Sequence, residues 1–133
     1  MKNILVIEDS RFFLRTLTMC LEDEGYSVVG ALTGEDGIRA AQQCRPDLIL
    51  LDMFLPRLDG MMVLRMLNGD SRTRGIPVLV LSGNTKRDDI TRAKKLGVIG
   101  YHVKDSMPVE QLMATVKEVA AQSVLARTGA CLQ

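Results

Sequence analysis

The sequence lacks what several functional classes require. No apolar stretch approaches the roughly 20 residues that span a bilayer. The opening run Ile4-Leu5-Val6-Ile7 meets Glu8 and Asp9 too soon to be a secretory signal core. A soluble, cytoplasmic protein with no membrane partner is expected. Neither sign of charge is in excess: 17 Lys and Arg stand against 16 Asp and Glu, a net of +1. The basic balance of a nucleic-acid binder is therefore missing, and no direct nucleic-acid contact is expected. Cys20, Cys44 and Cys131 are odd in number, form no CxxC pair and have no histidine near them in sequence, which argues against a disulfide framework or a zinc site. Neither GxxxxGK(S/T) nor GxGxxG occurs, so a glycine-rich phosphate loop is absent. Internal repeats and low-complexity tracts are absent too.

What is present is a chain of 133 residues, 47% of them hydrophobic, which is one ordinary domain with a sizeable core. Apolar runs of strand length recur at Ile4–Ile7, Val28–Ala31, Leu48–Leu51, Val78–Leu81 and, more weakly, Ile99–Val103. Their continuous apolar character predicts strands covered on both faces. Between them lie stripes at helical spacing: Phe13, Leu14, Leu17 and Leu21, then Ile38 with Ala41, Leu64 with Leu67, Ile90 with Ala93, and last Val109, Leu112, Met113, Val116 and Val119. Gly25, Gly69 and Gly97 read as helix ends, Pro108 as the start of a first helical turn, and Asp59-Gly60 as a turn or helix start. Five βα units in succession predict an α/β domain, a (βα)5 doubly wound parallel sheet with helices on both faces. The flavodoxin-like strand order for such a sheet is 2-1-3-4-5. Residues 1–122 make the domain; from about Ser123 to Gln133 the periodicity fades, which reads as a frayed tail or the start of a linker.

In such a sheet ligands bind beyond the carboxyl ends of the strands. The first strand ends in Glu8 and Asp9, the third in Asp52, the fourth in Ser82 and the fifth in Lys104. One acid at a strand end could be an ordinary helix cap. Three carboxylates on one rim raise one another's pKa and disfavour the fold unless a cation intervenes. Oxygen ligands without Cys or His suit a hard ion such as Mg²⁺, which keeps waters in its shell for a phosphate oxygen. Beside that ion an Asp can attack a phosphoryl group, and a lysine can neutralise the charge on the equatorial oxygens. Asp52 is the nucleophile of choice, because its strand neighbours the first, where the adjacent Glu8 and Asp9 suit the ion. Lys104 takes the neutralising role and Ser82 donates its hydroxyl to a further oxygen.

Glu8-Asp9, Asp52, Pro56-Arg57-Leu58-Asp59-Gly60, Ser82-Gly83 and Lys104, in this order and spacing, resemble the response-regulator receiver domain of two-component signalling, of the chemotaxis-regulator kind, over roughly residues 2–121. The resemblance implies a phosphorylation-activated switch with Asp52 as phosphoacceptor. Glu8, Asp9, Asp52 and the backbone carbonyl of Phe54 would hold Mg²⁺. Ser82 and Lys104 would meet the phosphoryl group, and Ser82 and Tyr101 would be the switch residues. It implies a sensor histidine kinase or histidine phosphotransfer protein as donor and an effector, not named by the sequence, downstream. Such a protein promotes its own phosphorylation and slow dephosphorylation but turns over no separate substrate. The surface implied for partners is the fourth helix, fifth strand and fifth helix, here carrying Arg87, Lys94, Lys95, Glu110 and Lys117.

Two positions depart from that family. Asp105 follows Lys104 where proline, joined through a cis peptide, is usual, and a cis bond without proline costs about 2.5–4 kcal/mol. Phe54 is large and apolar where many members carry a polar side chain, so shielding of Asp52 from hydrolytic water and a longer-lived phosphoryl group are expected; Asn84 is a polar alternative for orienting that water. A flavin-binding relative of the fold is excluded because Glu8-Asp9 would repel a phosphate. An Asp-nucleophile phosphatase is excluded because Asp52-Met53-Phe54 lacks a second acid two residues on. The alternative left standing is a receiver-like docking module that works without phosphorylation.

Overall fold

The computed structural model describes the backbone of residues 2–83, 87–104 and 108–132, and within these the side chains of all but Ser82, residues 87–90 and residues 122–132. Asn84, Asp105 and the side chains of Ser82, Arg87 and Cys131 thus lie outside the described residues. Strand and helix alternate throughout: β1 (Asn3–Ile7), α1 (Arg11–Asp23), β2 (Ser27–Ala31), α2 (Gly34–Cys44), β3 (Leu48–Asp52), α3 (Gly60–Gly69), β4 (Val78–Ser82), α4 (Arg87–Lys95), β5 (Val98–Val103) and α5 (Val109–Leu132). All strand pairs are parallel, in the order β2-β1-β3-β4-β5. Every apolar run of the sequence is a strand, and the doubly wound topology is the expected one.

Side chains alternate across the sheet, so each strand feeds two cores. Ile4, Val6, Leu48, Leu50, Leu79 and Leu81 meet Leu17 and Leu21 of α1 and Leu112 and Val116 of α5. Leu5, Ile7, Ile49, Leu51, Val78 and Val80 meet α2, α3 and α4 through Ile38, Ala41, Val63, Leu64, Leu67 and Ala93. Each fully buried Leu or Ile contributes about 1.5–3 kcal/mol. That is why β1 and β3, buried along almost their whole length, form the rigid centre of the molecule.

Local signals set where helices start and stop. Ser10, Thr33 and Asp59 are N-caps whose side chains accept from the backbone N–H of Phe13, Asp36 and Met62. Gly25 and Gly97 follow α1 and α4 at φ of +96° and +85°, a conformation costly for any residue with a Cβ.

One expectation needs correction. The outer strands are not covered on both faces along their whole length: Val29 of β2 and Ile99 and Tyr101 of β5 are exposed, because the helices overlap the edges of the sheet only in part. The last helix, α5, continues to Leu132. Among the described residues no helix is long and apolar enough to cross a membrane.

Candidate functional site

Strand order decides which residues can meet. Ile7 of β1 lies opposite Leu51 of β3, so the next residues, Glu8 and Asp52, leave the sheet side by side; Asp52 in turn pairs with Leu81, and Ser82 with Val103. The carboxyl ends of four strands therefore share one rim, carrying Glu8, Asp9, Asp52, Ser82 and Lys104. The backbone of Ser82 closes β4 beside that rim.

Glu8 is fully buried, Asp52 nearly so at 2% exposure, and Asp9 is exposed. One oxygen from each lies within 4.8 Å of one from both others. Lys104 enters from the far side and donates from Nζ to both oxygens of Glu8 at 2.7 Å and to Oδ2 of Asp52 at 3.0 Å. The other Asp52 oxygen, Oδ1, accepts from the backbone N–H of Phe54 at 3.0 Å. Asp52 is thus fixed at both oxygens, by an amine and by its own chain two residues on.

Two buried acids against one amine leave a negative charge uncompensated. Burial, aided by the neighbouring Asp52, pushes the Glu8 carboxyl up to about 8, and Lys104 opposes this only in part. For Lys104, burial pulls the ammonium down but the bonds to Glu8 and Asp52 outweigh it, so its pKa is raised and its charge retained. An all-oxygen cluster with surplus negative charge, one member open to solvent, fits a hard divalent cation.

The loop from Asp52 to α3 is shaped by Gly60. A Cβ there would lie 2.5 Å from Cα of Met53 and 2.9 Å from the carbonyl of Asp52, so only glycine lets α3 start this close to the end of β3. Arg57 adopts φ 66°, spanned by a bond from the Leu58 N–H to the Pro56 carbonyl at 2.8 Å, which turns the chain back toward that start.

Beside the rim opens a cleft of about 460 Å³, bounded by Asp9, Met53, Phe54 and Leu55 at one end and by Ala93, Lys94, Gly100 and Tyr101 at the other. Phe54 and Tyr101 are exposed on it, at 60% and 38%. Lys94, Lys95 and Glu110 are exposed as the sequence implied. Lys117 is exposed too, and pairs with Glu24, the residue that caps the end of α1, at 3.3 Å. One contact was not foreseen: Lys104 Nζ sits over the ring of Phe13, 4.9 Å from its centroid. Phe13 reads in the sequence as one member of an apolar stripe, and no spacing signal marks it as part of the rim.

Residues 4–117 match the response regulator receiver domain. The chain belongs to the response-regulator receiver family. Protein PilH of Pseudomonas aeruginosa is 34% identical over 121 residues, covering 91% of this chain and 99% of PilH. The alkaline phosphatase synthesis transcriptional regulatory protein PhoP of Bacillus subtilis and the DNA-binding response regulator MtrA of Mycobacterium tuberculosis are also 34% identical, over 94% and 87% of this chain, and the chain spans about half the length of either. Among solved structures, the signal receiver domain of a signal transduction histidine kinase from Syntrophus aciditrophicus is 30% identical with a TM-score of 0.82, covering 92% of each chain. Chemotaxis protein CheY4 of Vibrio cholerae is 28% identical with a TM-score of 0.83, covering 90% of this chain and 98% of that one. A CheY-like receiver from Methanospirillum hungatei, 23% identical with a TM-score of 0.87 over 95% and 98%, shares the fold. The receiver is a phosphorylation-activated switch of two-component signalling. Receiver domains are signalling switches that interact with histidine kinases and effectors, and they generally use Mg²⁺.

Proposed function

We propose that Asp52 of this receiver takes a phosphoryl group from the phosphohistidine of a sensor kinase or histidine phosphotransfer protein. The carrying observation is the bond of Lys104 Nζ to Asp52 Oδ2 at 3.0 Å, on an acid otherwise sealed from solvent. A carboxylate oxygen of Asp52 forms the new bond to phosphorus as the P–N bond breaks. The electron pair leaves with the imidazole, which regains its proton from water. Lys104 then follows a phosphoryl oxygen, and Ser82, at the end of the neighbouring strand, donates to another. Glu8, Asp9, Asp52 and the backbone carbonyl of Phe54 would hold Mg²⁺, which supplies charge neutralisation to the phosphoryl oxygens when bound. The surplus negative charge of Glu8 and Asp52 over Lys104 supports that assignment.

Output follows from the cleft. Drawing Ser82 to the phosphoryl group favours an inward turn of Tyr101, whose ring stands at the lip of a space large enough to receive it. The surface of α4, β5 and α5 changes with it, and an effector reads that surface. Residues 1–122 act as the receiver in the cytoplasm, with 123–133 as a C-terminal tail or the start of a linker. No nucleic acid or membrane is a direct partner of this domain.

Incubation with phosphoramidate and Mg²⁺, followed by intact-mass spectrometry, tests the reading. One added phosphoryl group is expected in the wild type and none in Asp52→Asn. A folded wild-type protein that stays unmodified would leave the phosphorylation-independent docking module as the better account.

A further inference from the structure

Lys104 is held by carboxylates and also by a ring. Its Nζ is 4.9 Å from the centroid of Phe13, inside the distance at which an ammonium is attracted to the negative face of an aromatic ring. The attraction is stronger here than on an open surface, because the Lys104 side chain is only 19% exposed. The ring itself has little freedom. Phe13 lies in the first turn of α1, its N–H donating to the N-cap Ser10 at 3.3 Å, and its side chain packs half-buried against the core between α1, α5 and the sheet. Ser10 follows Asp9 directly, so the turn that carries the acids Glu8 and Asp9 also carries the ring.

We propose that Phe13 is a positioning residue for Lys104, its ring face holding the ammonium at the rim where a phosphoryl oxygen on Asp52 would meet it. The proposal rests on the phosphoacceptor reading of Asp52 for its functional half and on geometry alone for its structural half. With carboxylates as its only partners, the flexible lysine stem is free to follow Glu8 inward, away from the Asp52 oxygen that it also meets. The contact with the ring restrains the ammonium without adding another hydrogen-bond acceptor. Leucine or methionine would fill the same space and leave the amine without it. Lys104 is the catalytic residue in this arrangement, and Phe13 acts only through it.

The test compares the wild type with Phe13→Leu and Phe13→Tyr in the full chain. In the wild type the ε-methylene protons of Lys104 are displaced upfield by the ring in NMR spectra recorded without phosphodonor; the displacement is lost in Phe13→Leu and kept in Phe13→Tyr. With phosphoramidate and Mg²⁺, Phe13→Leu loses about three- to ten-fold in maximal phosphorylation rate, with the half-saturating donor concentration unchanged, and Phe13→Tyr stays near the wild type. Should Phe13→Leu fail to fold, Phe13→Met replaces it. Wild-type ε-protons at ordinary lysine positions, or a Leu or Met variant that loses the displacement yet reacts at the wild-type rate, would overturn the proposal. A Tyr variant as slow as Leu would also overturn it. A wild type showing the displacement but never phosphorylated would instead overturn the phosphoacceptor reading, and with it the functional half, while the contact itself stood.

Discussion

The ammonium of Lys104 lies 2.7 Å from each carboxylate oxygen of Glu8. This pair ties β5 to β1 across the intervening strands β4 and β3, and it ties the fold's stability to the chemistry of its rim. The same ammonium also reaches Asp52, so one positive charge serves two buried acids. A rim built in this way is at its most comfortable when a proton or a cation supplies what the lysine cannot.

Stability should therefore depend on pH in a particular direction. Glu8 holds its proton more tightly folded, up to about 8, than at its ordinary value of 4.5. Its contribution is fully present below the ordinary value and is lost as pH rises through about 8, because across that window the folded state binds more protons than the unfolded one. For a single proton the slope cannot exceed about 1.4 kcal/mol per pH unit. Urea unfolding in chelator from about pH 5 to about pH 8 should show this decline, and Glu8→Gln should flatten it. An identical slope in the two proteins would assign the effect to another group.

Gly60→Ala tests how closely α3 must approach the acceptor strand. The added methyl would fall 2.5 Å from backbone at Met53, which is not a flexible side-chain tip that can move aside. A loss of about 1–3 kcal/mol is expected in urea unfolding, the usual range for overpacking. Phosphorylation should slow as well, because relief of the clash displaces the segment that holds Asp52 through the Phe54 N–H.

Most of this architecture was legible in the sequence, for a physical reason. Strands buried on both faces are apolar at every position, so Leu48–Leu51 declares itself, and a charge at such a run's end must face the rim or break the core. Glu8, Asp52 and Lys104 could be placed at the rim from that alone, and the structure brings both acids within hydrogen-bonding distance of the lysine's amine. What was hidden depends on tertiary context. Phe13 occupies a place in the α1 stripe that any core residue could fill, and only the packed β5 end shows what lies above its ring. The exposure of Val29 and Ile99 follows from position in the sheet, not from residue type.

Replacing Asp9 should separate metal binding from stability. It is exposed, so Asp9→Asn should leave the unfolding free energy within about 0.5 kcal/mol of the wild type. The cluster would lose one of its three carboxylates, and with it about ten-fold or more of its Mg²⁺ affinity by calorimetry. Unchanged Mg²⁺ affinity in a folded Asp9→Asn protein would exclude Asp9 from the ion's shell.

With Asp52 as the phosphoacceptor, Phe54 is expected to influence how long the phosphoryl group lasts. Its N–H is fixed on Asp52, so its side chain is tethered at the mouth of the site, yet the residue is 60% exposed. A ring in that position narrows the approach of water without sealing it, which limits the effect. Phe54→Asn removes the apolar obstacle and offers an amide that can orient the attacking water toward phosphorus. The dephosphorylation rate, followed by loss of the added phosphoryl mass after donor removal, should rise by roughly two- to five-fold, equivalent to less than about 1 kcal/mol of barrier. Phe54→Leu should match the wild type, because it keeps an apolar side chain at the same place and offers water nothing. Equal rates for the Asn and Leu variants would mean that hydrolysis is governed elsewhere on the rim, and Phe54 would then act only through the backbone bond it makes to Asp52.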